Sequence, residues 1–471
     1  MKARLEACSG IVAVIMFSYL AVVSANAQTY VDLHDFNCAI EGCGPTYVSL
    51  LAQGRDGNLY GTASFGGALG FGTVFKITPT GTMTTLYTFN GTDGLYPYGG
   101  LVLGTDGDFY GTTQSNLVGQ LSESGTLFKI TPNGVLTTLH YFAGGLTDGS
   151  GPLTSPTLGN DGNFYGVTGV GEGTNTGISY EYSALSGYTI LSTLTNSLPG
   201  SAFWAPLLQG MDGNFYSTTY AGGSNGSGTV YSMSSAGVIN VIYNFDTTHG
   251  GWGYAPLVQD SKGFLYGTEA QGGTLGGGVV FKVTTNGSLK ALYNFVNQCS
   301  SVGCVPVGGL VLGTDGNLYG STYRGGPNND GVLFKITKSG AYTQLVALNG
   351  TDGAGLVGTA MQHTNGKMYG IASTGGAYGG GVVYSLDVGM HPFIALLTNA
   401  GKIGTSVCVL GQGLKTTKSV LFNGTAATFR VVSNSYLTAV VPSGATTGFL
   451  TVTTTTTKFK SNREFIVSAS Q

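Results

Sequence analysis

The stretch GTDGNLYGST (Gly313–Thr322) decides the fold, because close variants of it recur along the chain. The earlier copies read GRDGNLYGTA, GTDGDFYGTT, GNDGNFYGVT and GMDGNFYSTT. The tyrosine of the motif falls at Tyr60, Tyr110, Tyr165, Tyr216, Tyr266, Tyr319 and Tyr369, at intervals of 50 to 55 residues. A repeat of this length indicates a protein assembled from similar supersecondary units.

Each repeat unit contains four short segments with the composition of β-strands. In the sixth unit these segments are Gly308–Thr314, Asn317–Tyr323, Gly331–Thr337 and Tyr342–Leu348. Asp-Gly joins the first two segments, which is a strong signal for a tight hairpin. Four antiparallel strands repeated seven times predict an all-β fold, namely a seven-bladed β-propeller.

The two ends of the repeat region complement one another. The seventh unit has three strand segments, the last of which lies in Gly380–Asp387, and its fourth is missing. The segment YVDLHDF (Tyr30–Phe36) resembles the fourth segments of other units, such as TTLYTFN (Thr84–Asn90). We therefore expect Tyr30–Phe36 to pair with the seventh unit, which would leave no exposed sheet edge at the seam.

The recurring Asp-Gly is predicted to be scaffold rather than catalytic. Five of the seven units carry it, and the fifth (SKGFLYG) and seventh (TNGKMYG) lack the aspartate. Glycine supplies the positive φ of a tight turn, and an aspartate side chain accepts hydrogen bonds from the backbone of the turn. The tyrosine that follows is expected to pack between neighbouring blades.

The start of the chain predicts export. Lys2 and Arg4 precede the apolar run Ile11–Val23, and Ala25-Asn26-Ala27 is a small-residue cleavage pattern. These features are typical of a secretory signal peptide covering residues 1–27. The apolar run is shorter than the roughly 20 residues that a membrane-spanning helix needs, and no later segment reaches that length. A secreted, extracellular protein with no transmembrane segment is therefore expected.

Composition narrows the classes of partner. The chain of 471 residues has a net charge of -3 and no cluster of Lys and Arg, which argues against a nucleic-acid partner. Its 81 glycines and 50 Tyr and Phe residues fit many tight turns between short buried strands. We expect a monomer that contacts an extracellular glycan or surface protein.

Four cysteines are predicted to form two local disulfides. Cys38 and Cys43 have four intervening residues, as do Cys299 and Cys304, and both pairs follow a fourth strand segment. Export and matched spacing favour disulfides over metal ligation. Cys408 lies in an alternating apolar pattern and is expected to be a buried free thiol.

The last eighty residues differ in character from the repeats. Short strand segments there are divided by Gly and Pro-Ser-Gly turns, which predicts a small β-sandwich. The segment resembles the immunoglobulin-like IPT/TIG domains through residues that include Gly404, Gly411, Asn423-Gly424 and Val441-Pro442. The predicted domains are a signal peptide (1–27), the propeller (28–389) and an IPT/TIG domain (390–471).

The repeats themselves resemble GloVer repeats, which occur in tandem in exported bacterial proteins. GGLVLGTDGDFYGTTQ and GTLFKITPNGVLTTLHYF carry this resemblance, which spans about residues 29–389. It implies an exported bacterial protein of the choice-of-anchor type, with varied surface-anchoring ends, although no sorting or membrane anchor is evident here. The family has no assigned catalytic residues, so none can be transferred.

Two kinds of joint are expected on one face of the ring, called here the loop face. They connect strands two and three of a unit, and strand four to the next unit. The Asp-Gly turns lie on the opposite side, the turn face. Loops on a rigid scaffold commonly carry binding function, and Tyr98, Trp204, Trp252 and Tyr254 fall on these joints. The main expectation is a secreted binding or cell-surface interaction protein that stacks these aromatics on sugar rings. Packing of each aromatic over its own blade is the alternative.

The second functional hypothesis is a polysaccharide-active enzyme, a hydrolase or lyase with carboxylates on the same face. Glu172, Glu181 and Glu269 are predicted to lie on or near that face. The five histidines lack the spacing of zinc ligands, and they stand at His34, His140, His249, His363 and His391. The sequence predicts no metal, no cofactor and no assigned catalytic residue.

Overall fold

The computed structural model describes residues 28–44, 51–117, 124–145, 147–169, 177–195, 199–299 and 301–468. The predicted signal peptide lies outside these residues. In the described ranges the structure is all-β, and its single helical element is the short 3-10 helix Leu414–Thr416. None of the helices in this part of the chain has the length and apolarity that a membrane crossing requires.

Four-stranded antiparallel sheets follow one another along the described part of residues 29–387, in the order of the sequence. Sheet one holds β2 (Ala52–Gln53), β3 (Leu59–Ala63), β4 (Thr73–Ile77) and β5 (Met83–Thr88). Sheet two holds β6 (Val102–Leu103), β7 (Phe109–Thr113), β8 (Thr126–Ile130) and β9 (Leu136–Tyr141). Sheet three holds β10 (Thr157–Leu158), β11 (Phe164–Val167), β12 (Gly177–Ser183) and β13 (Gly187–Leu194).

The next sheets repeat this pattern. Sheet four holds β14 (Leu208–Gln209), β15 (Phe215–Thr218), β16 (Thr229–Met233) and β17 (Ile239–Asn244). Sheet five holds β18 (Val258–Gln259), β19 (Leu265–Glu269), β20 (Gly276–Val283) and β21 (Leu289–Val296). Sheet six holds β22 (Val311–Leu312), β23 (Leu318–Thr322), β24 (Val332–Ile336) and β25 (Tyr342–Ala347). Sheet seven holds β26 (Met361–Gln362), β27 (Met368–Ala372), β28 (Val382–Asp387) and the N-terminal β1 (Thr29–Asp35).

The pairing of β1 with β28 confirms the predicted seam. The two strands are antiparallel, with Thr29 opposite Asp387 and Asp35 opposite Val382. Apolar side chains close the ring at the same place, since Leu59 and Phe75 of sheet one share a buried cluster with Val383 of sheet seven. The edge of the last sheet is thus covered by the opposite end of the same chain.

The Asp-Gly turns are scaffold, as predicted, and the motif tyrosine is part of the same network. The Asp315 carboxylate accepts the Asn317 N–H at 3.1 Å and the Tyr319 hydroxyl at 2.8 Å. Units without the motif aspartate keep the bond by other means. Asp260 accepts the Tyr266 hydroxyl at 3.0 Å in unit five, and Asn365 donates its amide N–H to the hydroxyl of the unit-seven tyrosine at 2.8 Å.

The same tyrosines pack between neighbouring sheets. The Tyr60 ring stacks on Phe109 of the next sheet with centroids 4.0 Å apart, and Tyr110 stacks on Phe164 at 3.8 Å. Each motif therefore ties a turn to the sheet interface beside it.

The C-terminal residues form two packed sheets. One sheet contains β29 (Ala395–Leu396), β31 (Ser406–Leu410), β34 (Phe429–Val431) and β35 (Tyr436–Val440). The other contains β30 (Ala400–Gly401), β32 (Ser419–Phe422), β33 (Thr425–Ala426), β36 (Gly448–Thr453) and β37 (Lys458–Val467). Both sheets contribute to one buried core, which includes Val407, Leu437, Leu450 and Phe465.

This sandwich lies against the turn face of the ring. The Ser435 hydroxyl donates to the Arg55 carbonyl at 2.7 Å, and the Asn399 N–H donates to the Asn160 side-chain oxygen at 2.9 Å. The Gln412 amide reaches the Thr364 hydroxyl at 3.1 Å. These contacts involve turns of sheets one, three and seven, so the sandwich touches several sheets of the ring.

The structure places the cysteines as the spacing suggests. Cys38 is bonded to Cys43 and Cys299 to Cys304. Cys408 is buried and free, and it lies 3.1 Å from the Tyr436 hydroxyl.

Candidate active site

The candidate site lies on the loop face, in the joint that leads from sheet four into sheet five. Gly250 and Trp252 have φ of 123° and 68°, a backbone region in which side chains other than glycine are rare. A Cβ on Gly250 would lie 2.8 Å from the Cβ of Glu269. The glycine therefore allows the joint to rest directly on the end of β19.

Glu269 occupies a position that four other units fill with threonine and that units one and seven fill with Ala63 and Ala372. The corresponding Thr113, Thr219 and Thr322 each end or follow the second strand, and each hydroxyl accepts a backbone N–H of the third strand at 3.0 to 3.1 Å. Glu269 has no exposed surface, and neither of its carboxyl oxygens has a hydrogen-bond partner among the described residues. This is the one unit in which the backbone-binding hydroxyl is replaced by an acid.

Burial determines the protonation state of this acid. Loss of hydration raises the pKa of the Glu269 carboxyl well above its usual value, because the charged form has no compensating partner nearby. The carboxyl therefore holds its proton at a pH where an exposed glutamate is ionised. Acids that remain protonated near neutral pH are suited to proton donation.

A second buried polar group stands beside Glu269. The Thr218 hydroxyl, from sheet four, also has no hydrogen-bond partner in the described part of the chain. Both groups face Gly253, where an added Cβ would lie 2.6 Å from the Thr218 hydroxyl and 3.0 Å from a Glu269 carboxyl oxygen. The absence of a side chain on Gly253 thus preserves a narrow polar niche shared by two sheets.

Four aromatic rings lie around this niche and are called here the aromatic surface: Trp204, Tyr220, Trp252 and Tyr254. The Trp204 ring lies 4.3 Å from Tyr220 and stacks on Tyr254 at 5.1 Å between centroids. The Trp252 ring stacks on Tyr220 at 5.7 Å. All four are half-buried. Trp252 and Tyr254 flank Gly253 in the sequence, so the aromatic surface adjoins the niche.

The structure brings together three of the four predicted aromatics. Trp204, Trp252 and Tyr254 share the aromatic surface, whereas Tyr98 lies at sheet two and packs against Phe65 with centroids 5.8 Å apart. Tyr220 was missed by sequence reasoning. Comparison of the residue four places after each motif tyrosine could have found it.

The two predicted acidic residues that the structure describes, Glu181 and Glu269, do not converge. Glu172 lies outside the described residues. Glu181 accepts the Asn163 side-chain amide at 2.6 Å, beside an Asp-Gly turn, so its predicted position on the loop face is wrong. The reason is its place in the middle of β12, opposite Tyr165, where the side chain points towards the turn. Of the two that the structure describes, Glu269 is at the predicted face.

Histidines serve local structure. His34 lies 2.9 Å from Glu41, and His140 lies 2.9 Å from Asp148 in the corresponding joint of another unit. His363 is buried against the Gly57 carbonyl at 3.0 Å. Within the ranges that the structure covers, no group of three or more His, Cys, Asp or Glu residues is placed to hold a metal ion.

Comparison with known proteins gives a family and several distant structures. The Gloeobacter/Verrucomicrobia repeat model matches residues 19–180 and 105–313. Among curated proteins, none matches the chain. A 6-phosphogluconolactonase-like protein from Bacteroides uniformis is 16% identical with a TM-score of 0.45, covering 66% of this chain and 88% of its own.

Two further solved structures are similar at the same level. The periplasmic gluconolactonase of Pseudomonas aeruginosa is 14% identical over 71% of this chain and 96% of its own, with a TM-score of 0.45. Puromycin hydrolase is 11% identical over 83% of this chain and 54% of its own, also with a TM-score of 0.45.

These findings correct the main functional expectation. A protein that only binds was predicted, yet the solved structures that resemble this chain are described as lactonases and a hydrolase. That expectation rested on the aromatics of the loop-face joints, whereas Glu269 belonged to the alternative, enzymatic hypothesis. The match to the repeat family is a separate result. The matched ranges together cover more than half of the 471 residues, and this chain belongs to the Gloeobacter/Verrucomicrobia repeat family.

Proposed function

We propose that this protein is an enzyme that hydrolyses a polysaccharide, with Glu269 as its proton donor. The observation that carries the proposal is a fully buried carboxyl with no hydrogen-bond partner among the described residues, at a position where four other units have a threonine that accepts a backbone N–H. A buried polar group without a partner costs about 1 to 3 kcal/mol. Retention of such a group points to a role other than stability.

The chemistry follows from the state of the acid. Glu269, held protonated by burial, gives its proton to the leaving oxygen as the glycosidic C–O bond breaks. Water adds its oxygen to the anomeric carbon, and the proton that it releases returns to the Glu269 carboxylate. The Thr218 hydroxyl, at the same niche, can donate or accept a hydrogen bond to the sugar beside the leaving oxygen. The aromatic surface offers flat apolar faces on which sugar rings stack.

Substrate reaches the acid only if the covering segment moves. Residues 250–253 read Gly-Gly-Trp-Gly and lie over the Glu269 carboxyl. Three glycines in four residues leave this segment few side-chain contacts to break. We propose that a sugar chain stacked on Trp252 displaces the segment and exposes the acid.

We also propose how the chain divides into domains. We infer a seven-bladed β-propeller over residues 28–389, because successive four-stranded sheets share buried clusters and the last shares one with the first. We assign residues 390–471 to an IPT/TIG domain on the strength of its two packed sheets. The signal-like residues 1–27 and the two disulfides support secretion.

The test is release of reducing ends from a panel of neutral and acidic polysaccharides. Glu269→Gln removes the transferable proton and preserves the shape, so we expect at least about a hundredfold loss of rate. Glu181→Gln, at the turn face, is the matched control and should retain the wild-type rate. The rate should fall as pH rises through the raised pKa of Glu269, because the ionised acid cannot donate.

The negative outcomes are equally specific. Wild-type rates in folded Glu269→Gln would exclude Glu269 as the donor. No cleavage of any polysaccharide by the wild-type protein would exclude the proposed reaction.

A further inference from the structure

A second site is suggested by the cavity at the other end of the ring. The space measures about 1000 Å³ and lies between the first strands of the sheets and the C-terminal sandwich. Its wall on the ring side includes Leu208, Val258 and Leu312, and the sandwich contributes Phe449, Lys460 and Arg463. A volume of this order suits a small organic molecule. The site is separate from Glu269, which lies on the loop face.

The cationic residues reach the cavity because of strand geometry. Side chains alternate along a strand, and Phe459, Ser461 and Phe465 of β37 are buried in or beside the sandwich core. Lys460 therefore points out of the sandwich and lines the cavity. The register of β36 and β37 shifts between Phe449 and Thr451, and Arg463 lies within this irregular segment, also lining the cavity.

The charge on Arg463 is not balanced by the protein. Its guanidinium has no hydrogen bond or ion pair in the part of the chain described. The Arg463 side chain is exposed and faces the cavity instead of the packed interior. A guanidinium without a protein partner at a cavity wall is available to bind an anion.

The acidic residues around the cavity are mostly engaged elsewhere. Asp260 pairs with Lys338 at 3.4 Å, and Asp315 accepts the Tyr319 hydroxyl. Glu464 is the remaining acid, against Lys458, Lys460 and Arg463 in the same lining. The four cations of the lining, Lys338, Lys458, Lys460 and Arg463, therefore outnumber its three carboxylates. The Lys460 ammonium also sits 3.6 Å from the Phe449 ring centroid, which holds it at the cavity wall.

We propose that this cavity binds a small organic anion bearing a carboxylate or phosphate group, with Arg463 as the principal contact and Lys460 as the second. The planar guanidinium matches the two oxygens of either group, whereas the lysine supplies a point charge. Phe449 and Leu397 offer apolar surface for the rest of the ligand. The sandwich thereby contributes the charged half of the site, and the ring contributes its wall.

The test uses the whole secreted chain and two probes, inorganic phosphate and D-glucuronate. Calorimetric titration should show saturable binding of at least one probe. Arg463→Gln should weaken that binding at least about tenfold, and Lys460→Gln should weaken it less. Arg430→Gln is the matched control, because Arg430 is an exposed cation of the same sandwich that does not line the cavity.

Thermal unfolding provides an independent measurement. Without added anion, Arg463→Gln should unfold at about the wild-type temperature, because the guanidinium that it removes is exposed. The bound probe should raise the wild-type midpoint and leave the variant unchanged. The proposal is wrong if the wild type binds neither probe, or if Arg463→Gln binds them as tightly as Arg430→Gln does. The rate at which Glu269→Gln cleaves polysaccharide does not affect the interpretation of either the binding or the thermal measurement.

Discussion

Replacement of Glu269 by threonine should stabilise the protein. The change restores the residue found at the corresponding position of four other sheets, where the hydroxyl accepts a backbone N–H. Val279 pairs with Glu269 as Thr126 pairs with Thr113, so its N–H is placed to donate to the new hydroxyl. The variant therefore exchanges an unpaired acid for a satisfied hydroxyl.

The size of the effect can be worked from the contacts. Removal of a buried carboxyl without a partner relieves about 1 to 3 kcal/mol, and the new hydrogen bond contributes about 1 kcal/mol. The smaller side chain loses packing worth about 1 to 2 kcal/mol. We expect a net gain of about 1 to 2 kcal/mol in the free energy of unfolding at pH 5.

The dependence of the free energy of unfolding on pH is a sharper test of the protonation state of Glu269. A carboxyl whose pKa is raised in the folded state stabilises the protein below the ordinary glutamate pKa, and this contribution is lost as pH rises towards the folded pKa. Wild-type stability should therefore fall relative to Glu269→Thr by up to about 1.4 kcal/mol per pH unit above that ordinary value. The difference stops widening once the folded acid ionises.

Urea unfolding at pH 5, 6 and 7 measures this difference. Fluorescence is a suitable signal, because Trp204 and Trp252 lie in the aromatic surface beside the niche. Thr219→Glu is the control, since it places an acid at the corresponding position of sheet four and should destabilise with the same pH trend. A stability difference that is constant across these pH values would refute the buried, protonated state of Glu269.

Three further predictions concern the scaffold. The pKa of the Asp32 carboxyl at the seam is raised to about 6, first by burial and then by nearby carboxylates. Asp32→Asn should therefore stabilise the protein at pH 7 by about 1 kcal/mol, after discounting for solvent screening, and by little below pH 4. Urea unfolding at the two pH values measures this difference. Gly134→Ala should lower the free energy of unfolding by more than about 2 kcal/mol, because φ is 88° and the new Cβ would lie 2.5 Å from the Leu86 carbonyl oxygen. Gly162→Ala, with φ of 90° and open space around the new Cβ, should lower it by about 1 kcal/mol. Tyr319→Phe should lower the midpoint of thermal unfolding by removing a hydrogen bond worth about 1 to 2 kcal/mol to the turn carboxylate.

The contacts within the repeat were predictable because they are local and occur seven times. The turn at Asp315 and its bond to Tyr319 span four residues, so the spacing of the motif contains the geometry. The pairing of β1 with β28 is distant in sequence, yet it was predictable since one unit lacked a strand and one strand lacked a unit. Repetition supplied the information that a single copy would not.

The candidate site was only partly predictable, because it depends on differences between units. Glu269 was expected on the loop face, but its burial results from Gly250 and Gly253 of the preceding joint and from Thr218 of another sheet. Glu181 was misplaced because its orientation depends on the register of β12, which its charge does not reveal. Exposure and partners of a side chain are properties of the assembled surface.

Read alone, the amino-acid order determined the ring: the turns, the strand number in each unit, the seam and the cysteine pairs all follow from short-range geometry copied along the chain. Only the tertiary structure decided that the Glu269 carboxyl loses its water without gaining a hydrogen-bond partner, and that Arg463 faces a cavity at the other end of the ring. The physical reason is that hydration is removed by neighbours from several sheets at once, and their convergence on one atom is recorded in no single stretch of sequence.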